Sequence, residues 1–143
     1  MLKVLFLCTQ NACRSQMAEG LVNHDLAGKV KAFSAGVSPT RVNPRAIQVM
    51  SELGIDIRHH EAKSVDAFAG EKFDYVITLC DEAQEQCPIF PGSAERLHMG
   101  FKDPARASGN ETEVLKVFRQ VRDLLRVKLI PFLEEQTLHQ RMD

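Results

Sequence analysis

The chain has 143 residues and 16.1 kDa, a length that makes one domain the default. Hydrophobic residues are 44% and charged residues 26%, which excludes disorder as the main state. Lys+Arg of 18 against Asp+Glu of 19 gives a net charge of -1, excluding an overall field for nucleic acid or an anionic membrane. Anion binding must therefore come from a local site. The opening MLKVLFLC has the look of a signal peptide, but its apolar run is short and no small-residue cleavage site follows. Nothing approaches the roughly 18 apolar residues of a membrane span.

Leu2 to Leu7 is a nearly unbroken apolar run, as expected of a strand buried on both faces of a parallel sheet. From Arg14 to Leu26 the spacing of Met17, Ala18, Leu21, Val22 and Leu26 predicts a helix. Val30 to Ser34 is a short strand ended by Ala35-Gly36, and Pro44 starts a helix closed by Gly54. Phe73 to Leu79 is a second buried strand and runs into Cys80. A fourth strand is predicted at Glu95 to Met99, before an Asp103-Pro104 turn. The last helix opens at Asn110, with Glu113 placed for a capping box, and Pro131 is expected to perturb its end. The domain is drawn at 1–135, with a frayed tail over 136–143.

Alternating strands and helices predict an α/β fold with a four-stranded parallel sheet flanked by helices. Ligands of such sheets bind beyond the carboxyl ends of the strands, where Cys8, Cys80 and Asp103 all fall. The segment Cys8-Thr9-Gln10-Asn11-Ala12-Cys13-Arg14-Ser15 joins strand to helix in the form C-x5-R-S. A loop entering a helix N-terminus turns N–H groups and the positive end of the dipole inward, forming an oxyanion cradle. Arg14 can grip two oxygens, the field favours a Cys8 thiolate, and Ser15 can donate its hydroxyl to the sulfur. A thiolate beneath a bound tetrahedral oxyanion is a placed nucleophile. The alternative is a buried, inert Cys8 beside a solvated Arg14.

The segments CTQNACRSQMAEG (8–20), FSAG (33–36), NPRAI (43–47), VITLC (76–80), CP (87–88) and GFKDPA (100–105) resemble the low-molecular-weight tyrosine phosphatase fold family, and within it the thioredoxin-coupled arsenate reductases. The resemblance implies a flavodoxin-like single domain with Cys8 as nucleophile, residues 9–15 as the oxyanion loop and Asp103 as the acid–base residue. A phosphatase needs one thiol, whereas Cys80 and Cys87 supply the further pair that a two-electron reduction of arsenate requires. The implied mechanism passes a disulfide from Cys8–Cys80 to Cys80–Cys87, for thioredoxin to reduce. The spacings C-x4-C and C-x6-C are not the usual zinc spacings, and no metal site is expected.

Gln10 stands where many relatives carry glycine and is expected to be strained if that position needs positive φ. Asn11 is expected to hold loop carbonyls so that the N–H groups face inward. Cys13 is read as a small filler beside the loop. Some reductases of this type bind potassium near the cradle; Asn11, Glu19 and Ser34 match three of its donors, but Lys63 stands in the fourth place. No bound cofactor is therefore expected, and the lysine is a candidate substitute for the ion. Ala105-Arg106 follow Asp103-Pro104 where phosphatases of this fold carry an aromatic wall. The five histidines are read as surface or structural.

The first reading is thus a cytoplasmic, monomeric reductase acting on arsenate or a phosphate-like oxyanion, with thioredoxin as partner. A phosphatase working through a Cys8 phosphocysteine is the second reading. A non-catalytic oxyanion-binding or redox-sensing domain is the third.

Overall fold

The structure is a computed structural model that describes residues 1–81, 85 and 89–142, the side chains of 141 and 142 excepted. Four strands, β1 (Leu2–Cys8), β2 (Val30–Gly36), β3 (Tyr75–Thr78) and β4 (Glu95–His98), form one parallel sheet in the order β2-β1-β3-β4. Three α-helices accompany them: α1 (Arg14–Asp25), α2 (Pro44–Ser51) and α3 (Glu111–Met142). Short 3-10 turns stand at Val65–Phe68 and Pro104–Arg106. Any helical turn between Cys80 and Cys87 lies outside the described residues.

The period of two along β1 divides the core. Leu2, Val4 and Phe6 face the cluster made with α1, α2 and α3. Leu5 and Leu7 face a second cluster, with Phe68, Phe73 and Phe90 packed edge to face. Both faces are therefore covered, which explains why β1 reads as an unbroken apolar run. Arg126 of α3 grips Asp25 at the end of α1, and Arg119 and Arg122 share Glu52 just past α2.

The strands lie within a residue or two of their predicted ranges, and Phe73 falls before β3 because its ring belongs to the aromatic cluster. Helix α3 corrects two expectations. It passes through Pro131, and it is helical through Met142, where a frayed tail was expected over 136–143. Pro131 removes the partner of the Val127 carbonyl, but both residues lie on the exposed face, so that the loss falls outside the core. Leu129 and Leu133 stay fully buried on either side, Thr137 is buried, and Tyr75 donates its hydroxyl to Gln136 at 2.9 Å. The start is as predicted, with Asn110 accepting the Glu113 N–H at 2.9 Å.

Gly36 ends β2 opposite Cys8 and lets the following loop pass close by. A Cβ there would stand 2.6 Å from the Thr9 carbonyl oxygen and 2.8 Å from the Asn11 nitrogen. Both atoms are backbone and cannot swing aside. Gly36→Ala is expected to cost about 1–3 kcal/mol in denaturant unfolding and to weaken phosphate binding, since the loop must yield. An unchanged midpoint with unchanged phosphate affinity would count against this packing.

Candidate active site

Residues 9–13 turn between β1 and α1 above the carboxyl edge of the sheet. Their carbonyls are engaged from outside. Thr9, Gln10 and Ala12 accept from the N–H groups of Ser38, Thr40 and Asn43, and Asn11 accepts from the Gln16 side chain. With the oxygens held outward, the opposite edges of the peptides turn toward the cavity, as an anion cradle requires. Asn43 also caps α2, accepting the Arg45 N–H. One residue thus fixes both the loop and the cavity wall.

The left-handed residue is Asn11, with φ 52, and not Gln10. Asparagine tolerates this conformation better than most residues, so Gln10 carries no strain of that kind. The Asn11 side chain does not hold loop carbonyls. Its Oδ1 accepts from the Lys63 N–H and from Gln16 Nε2, both at 2.9 Å, and its Nδ2 donates to Ser15 Oγ at 2.8 Å. Ser15 Oγ, which accepts from Asn11, also lies in hydrogen-bond contact with Cys8 Sγ, 2.8 Å away.

Arg14 opens α1 and is almost fully buried. Its Nη1 donates to the Phe101 carbonyl at 3.1 Å, and its Nη2 lies 3.8 Å from Asp103. Asp103 caps the 104–106 turn by accepting the Ala105 N–H at 3.0 Å. Nucleophile, guanidinium and carboxylate thus come together on a cavity of about 500 Å³ whose lining includes Cys8, Thr9, Gln10, Ala12, Cys13, Arg14 and Asp103. Arg41 and Arg106 stand among its walls, and no aromatic residue does among the described residues.

Cys80 follows β3 after Leu79. Leu7 of β1 pairs with Thr78, and the Leu79 N–H donates to the Leu7 carbonyl at 2.8 Å. Residue 80 therefore sits one position beyond the neighbour of Cys8, on adjacent strands at the same edge. Cys80 is disulfide-bonded, whereas Cys8 and Cys13 are free. Cys87 lies outside the described residues. Burial pushes the Cys13 thiol up to about 12, with the charges of Asp103 and Cys8 adding to the effect. A thiol so hard to ionise is a filler and not a second nucleophile.

Two further residues, Gln16 and Glu85, escaped the sequence reading. Gln16, fully buried, links Asn11 to the Glu61 carbonyl and to the His60 ring. His60 in turn lies 3.3 Å from Glu19, so it is structural, as expected. Glu85 binds Arg14 through both oxygens, at 2.6 and 2.8 Å, and accepts from Thr9 Oγ1 at 2.6 Å. The Lys63 ammonium stands 4.0 Å from Glu19, which also accepts from Ser34 at 2.8 Å. Burial raises the Glu19 carboxyl, while Lys63 and Ser34 pull the other way. Among the described residues no group of three or more His, Cys, Asp or Glu gathers as a metal site. Nor is any helix among them long and apolar enough to cross a membrane.

This sheet, with its cysteine-arginine loop and facing aspartate, defines a class. The chain belongs to the low molecular weight phosphotyrosine protein phosphatase family, whose model matches residues 3–142. Within that family it is similar to arsenate reductases. The arsenate reductase of Halalkalibacterium halodurans is 44% identical over 131 residues, 92% of this chain and 94% of that one. A solved arsenate reductase in the phosphate binding state superposes with a TM-score of 0.77 at 32% identity, covering 94% of this chain and 98% of the other. The thioredoxin-dependent arsenate reductase of Corynebacterium glutamicum gives a TM-score of 0.67 at 26% identity, over 95% of this chain and 63% of that one.

Proposed function

We propose that the protein reduces arsenate to arsenite by a Cys8–Cys80–Cys87 thiol relay, with thioredoxin reducing the final disulfide. The observation that carries this reading is the placement of Cys8 and Cys80 at one edge of adjacent strands, with Arg14 and Asp103 beside Cys8. Arsenate binds in the loop 9–15, and the Cys8 thiolate attacks arsenic. Asp103 protonates the departing oxygen. The Cys80 thiolate then attacks Cys8 Sγ, and the electron pair of the S–As bond stays on arsenic, which leaves as arsenite. The Cys87 thiolate attacks Cys80 Sγ and releases the Cys8 thiolate. Two electrons and two protons from a thioredoxin dithiol restore the pair. A Cys80 disulfide beside a free Cys8 is the state that the last transfer leaves behind.

The test is mass spectrometry of thiols after one arsenate turnover without reductant. It should find one arsenite released and a Cys80–Cys87 disulfide; intact thiols with no arsenite would overturn the reading. The lack of an aromatic wall among the described residues counts against an aryl phosphate as substrate. A thioredoxin-linked cycle belongs in the cytoplasm, and Cys8, Arg14 and Asp103 all come to the cavity from one chain, which supports a monomer.

No potassium ion is needed, because Lys63 supplies a fixed positive charge near Glu19. Turnover is expected to be equal, within about twofold, in sodium and potassium buffers of matched ionic strength. A clear gain with potassium refutes the substitution.

A further inference from the structure

We propose that Glu85 is a built-in occupant of the oxyanion cradle, which closes the site to oxyanions while Cys80 is disulfide-bonded and yields it when that disulfide is reduced. The inference rests on reading 9–15 as the oxyanion loop. Glu85 meets the two side-chain donors that an oxyanion would use first, the Arg14 fork at 2.6 and 2.8 Å and the Thr9 hydroxyl at 2.6 Å. A planar carboxylate presents two oxygens at the spacing of one edge of a tetrahedral oxyanion, so it competes for the same bidentate grip.

The backbone holds the carboxylate there. The Glu85 N–H donates to the Asp81 carbonyl at 2.9 Å, and the Asp81 N–H donates back to Glu85 Oε2 at 3.2 Å. Both bonds tie Glu85 to Asp81, the residue next to the bonded Cys80. Burial alone would raise its carboxyl, but the Arg14 and Thr9 hydrogen bonds hold it down at about 2, so the occupant stays charged at neutral pH. Charge then excludes a second anion. Glu85 and Asp103 already share the Arg14 guanidinium, and a multiply charged oxyanion added beside both would meet two carboxylates at that one group.

Arg14 Nε adds an independent sign that Glu85 is a substitute. It is buried with no hydrogen-bond partner among the described residues, a donor that a third oxygen of a true oxyanion would satisfy. The consequence is a cycle that refuses arsenate in the state that has no thiol pair left to spend on it. An oxidised molecule awaiting thioredoxin is also spared from abundant phosphate.

Inorganic phosphate separates binding from chemistry, because these thiols do not reduce it. Its affinity should be measured by calorimetry on the full chain with the Cys80 disulfide intact, and again after reduction with a dithiol. The wild type is expected to bind at least about tenfold more weakly when oxidised, since a tethered competitor acts at an effective concentration of order millimolar or more. In Glu85→Gln that redox difference should shrink below about threefold, and Glu85→Asp should restore part of it. Equal affinity in the two states of the wild type, or a tenfold difference that survives in Glu85→Gln, overturns the proposal. If the reduced wild type binds no phosphate, the reading of the loop fails, and this proposal with it.

Discussion

Arsenate-dependent oxidation of thioredoxin is expected to fall by at least about a thousandfold in Cys8→Ser, Cys80→Ser and Cys87→Ser alike. The three variants should then part company in a single turnover. Cys8→Ser lacks the thiolate that attacks arsenic, so no arsenite forms. Serine keeps the size of the residue and can still bond Ser15 across the 2.8 Å gap, so phosphate binding should survive. Cys80→Ser retains Cys8 but loses the sulfur at the neighbouring strand end, and arsenic should stay on Cys8 or leave as arsenate. Cys87→Ser should release one equivalent of arsenite and stop with a Cys8–Cys80 disulfide. That trapped bond requires the two Cα atoms to come within about 6 Å. Adjacent parallel strands lie about 4.8 Å apart, and Cys80 is one residue past the neighbour of Cys8. Continued turnover in Cys87→Ser would sink the relay and leave a two-thiol mechanism.

Much of this site was legible in the chain itself, and the reason is locality. A buried parallel strand announces itself as an apolar run, and a cradle between strand and helix needs only seven consecutive residues, 9 to 15. Asp103 is visible because an Asp-Pro turn follows a strand. What escaped depends on contacts far along the chain. Glu85 is one acidic residue in a polar stretch, and its importance comes from Arg14, 71 positions earlier. Gln16 looks like any helical glutamine until the 61–63 segment folds against it. The positive φ sits on Asn11 and not on Gln10 because the carbonyls of the loop must all reach the 38–43 segment or Gln16. Pro131 departs from the rule for helix ends because that rule ignores which face the proline occupies; here Pro131 and Val127 both lie on the exposed face. The helix start at Asn110 was legible, since a cap is satisfied within three residues.

Arg14 is where the second large effect is expected. Arg14→Gln should weaken phosphate binding to the reduced protein by about a hundredfold to a thousandfold, the scale of removing one partner from a buried charge pair. Arg14→Lys should recover little of that loss. Lysine keeps the charge but offers a single ammonium, whereas this guanidinium bridges three groups at once, reaching the Phe101 carbonyl, Glu85 and Asp103 from two nitrogens. The bridge also joins the cradle to the segment 99–105, so a shorter grip should let Asp103 drift from the reacting centre. Turnover in Arg14→Lys is therefore expected to fall further than phosphate affinity does. A merely electrostatic role predicts the opposite pattern, with near-normal binding in Arg14→Lys and severe loss only in Arg14→Gln. Calorimetry with phosphate, set beside steady-state arsenate turnover for both variants, separates the two. If Arg14→Lys binds phosphate as tightly as the wild type, the planar fork is not what holds the oxyanion.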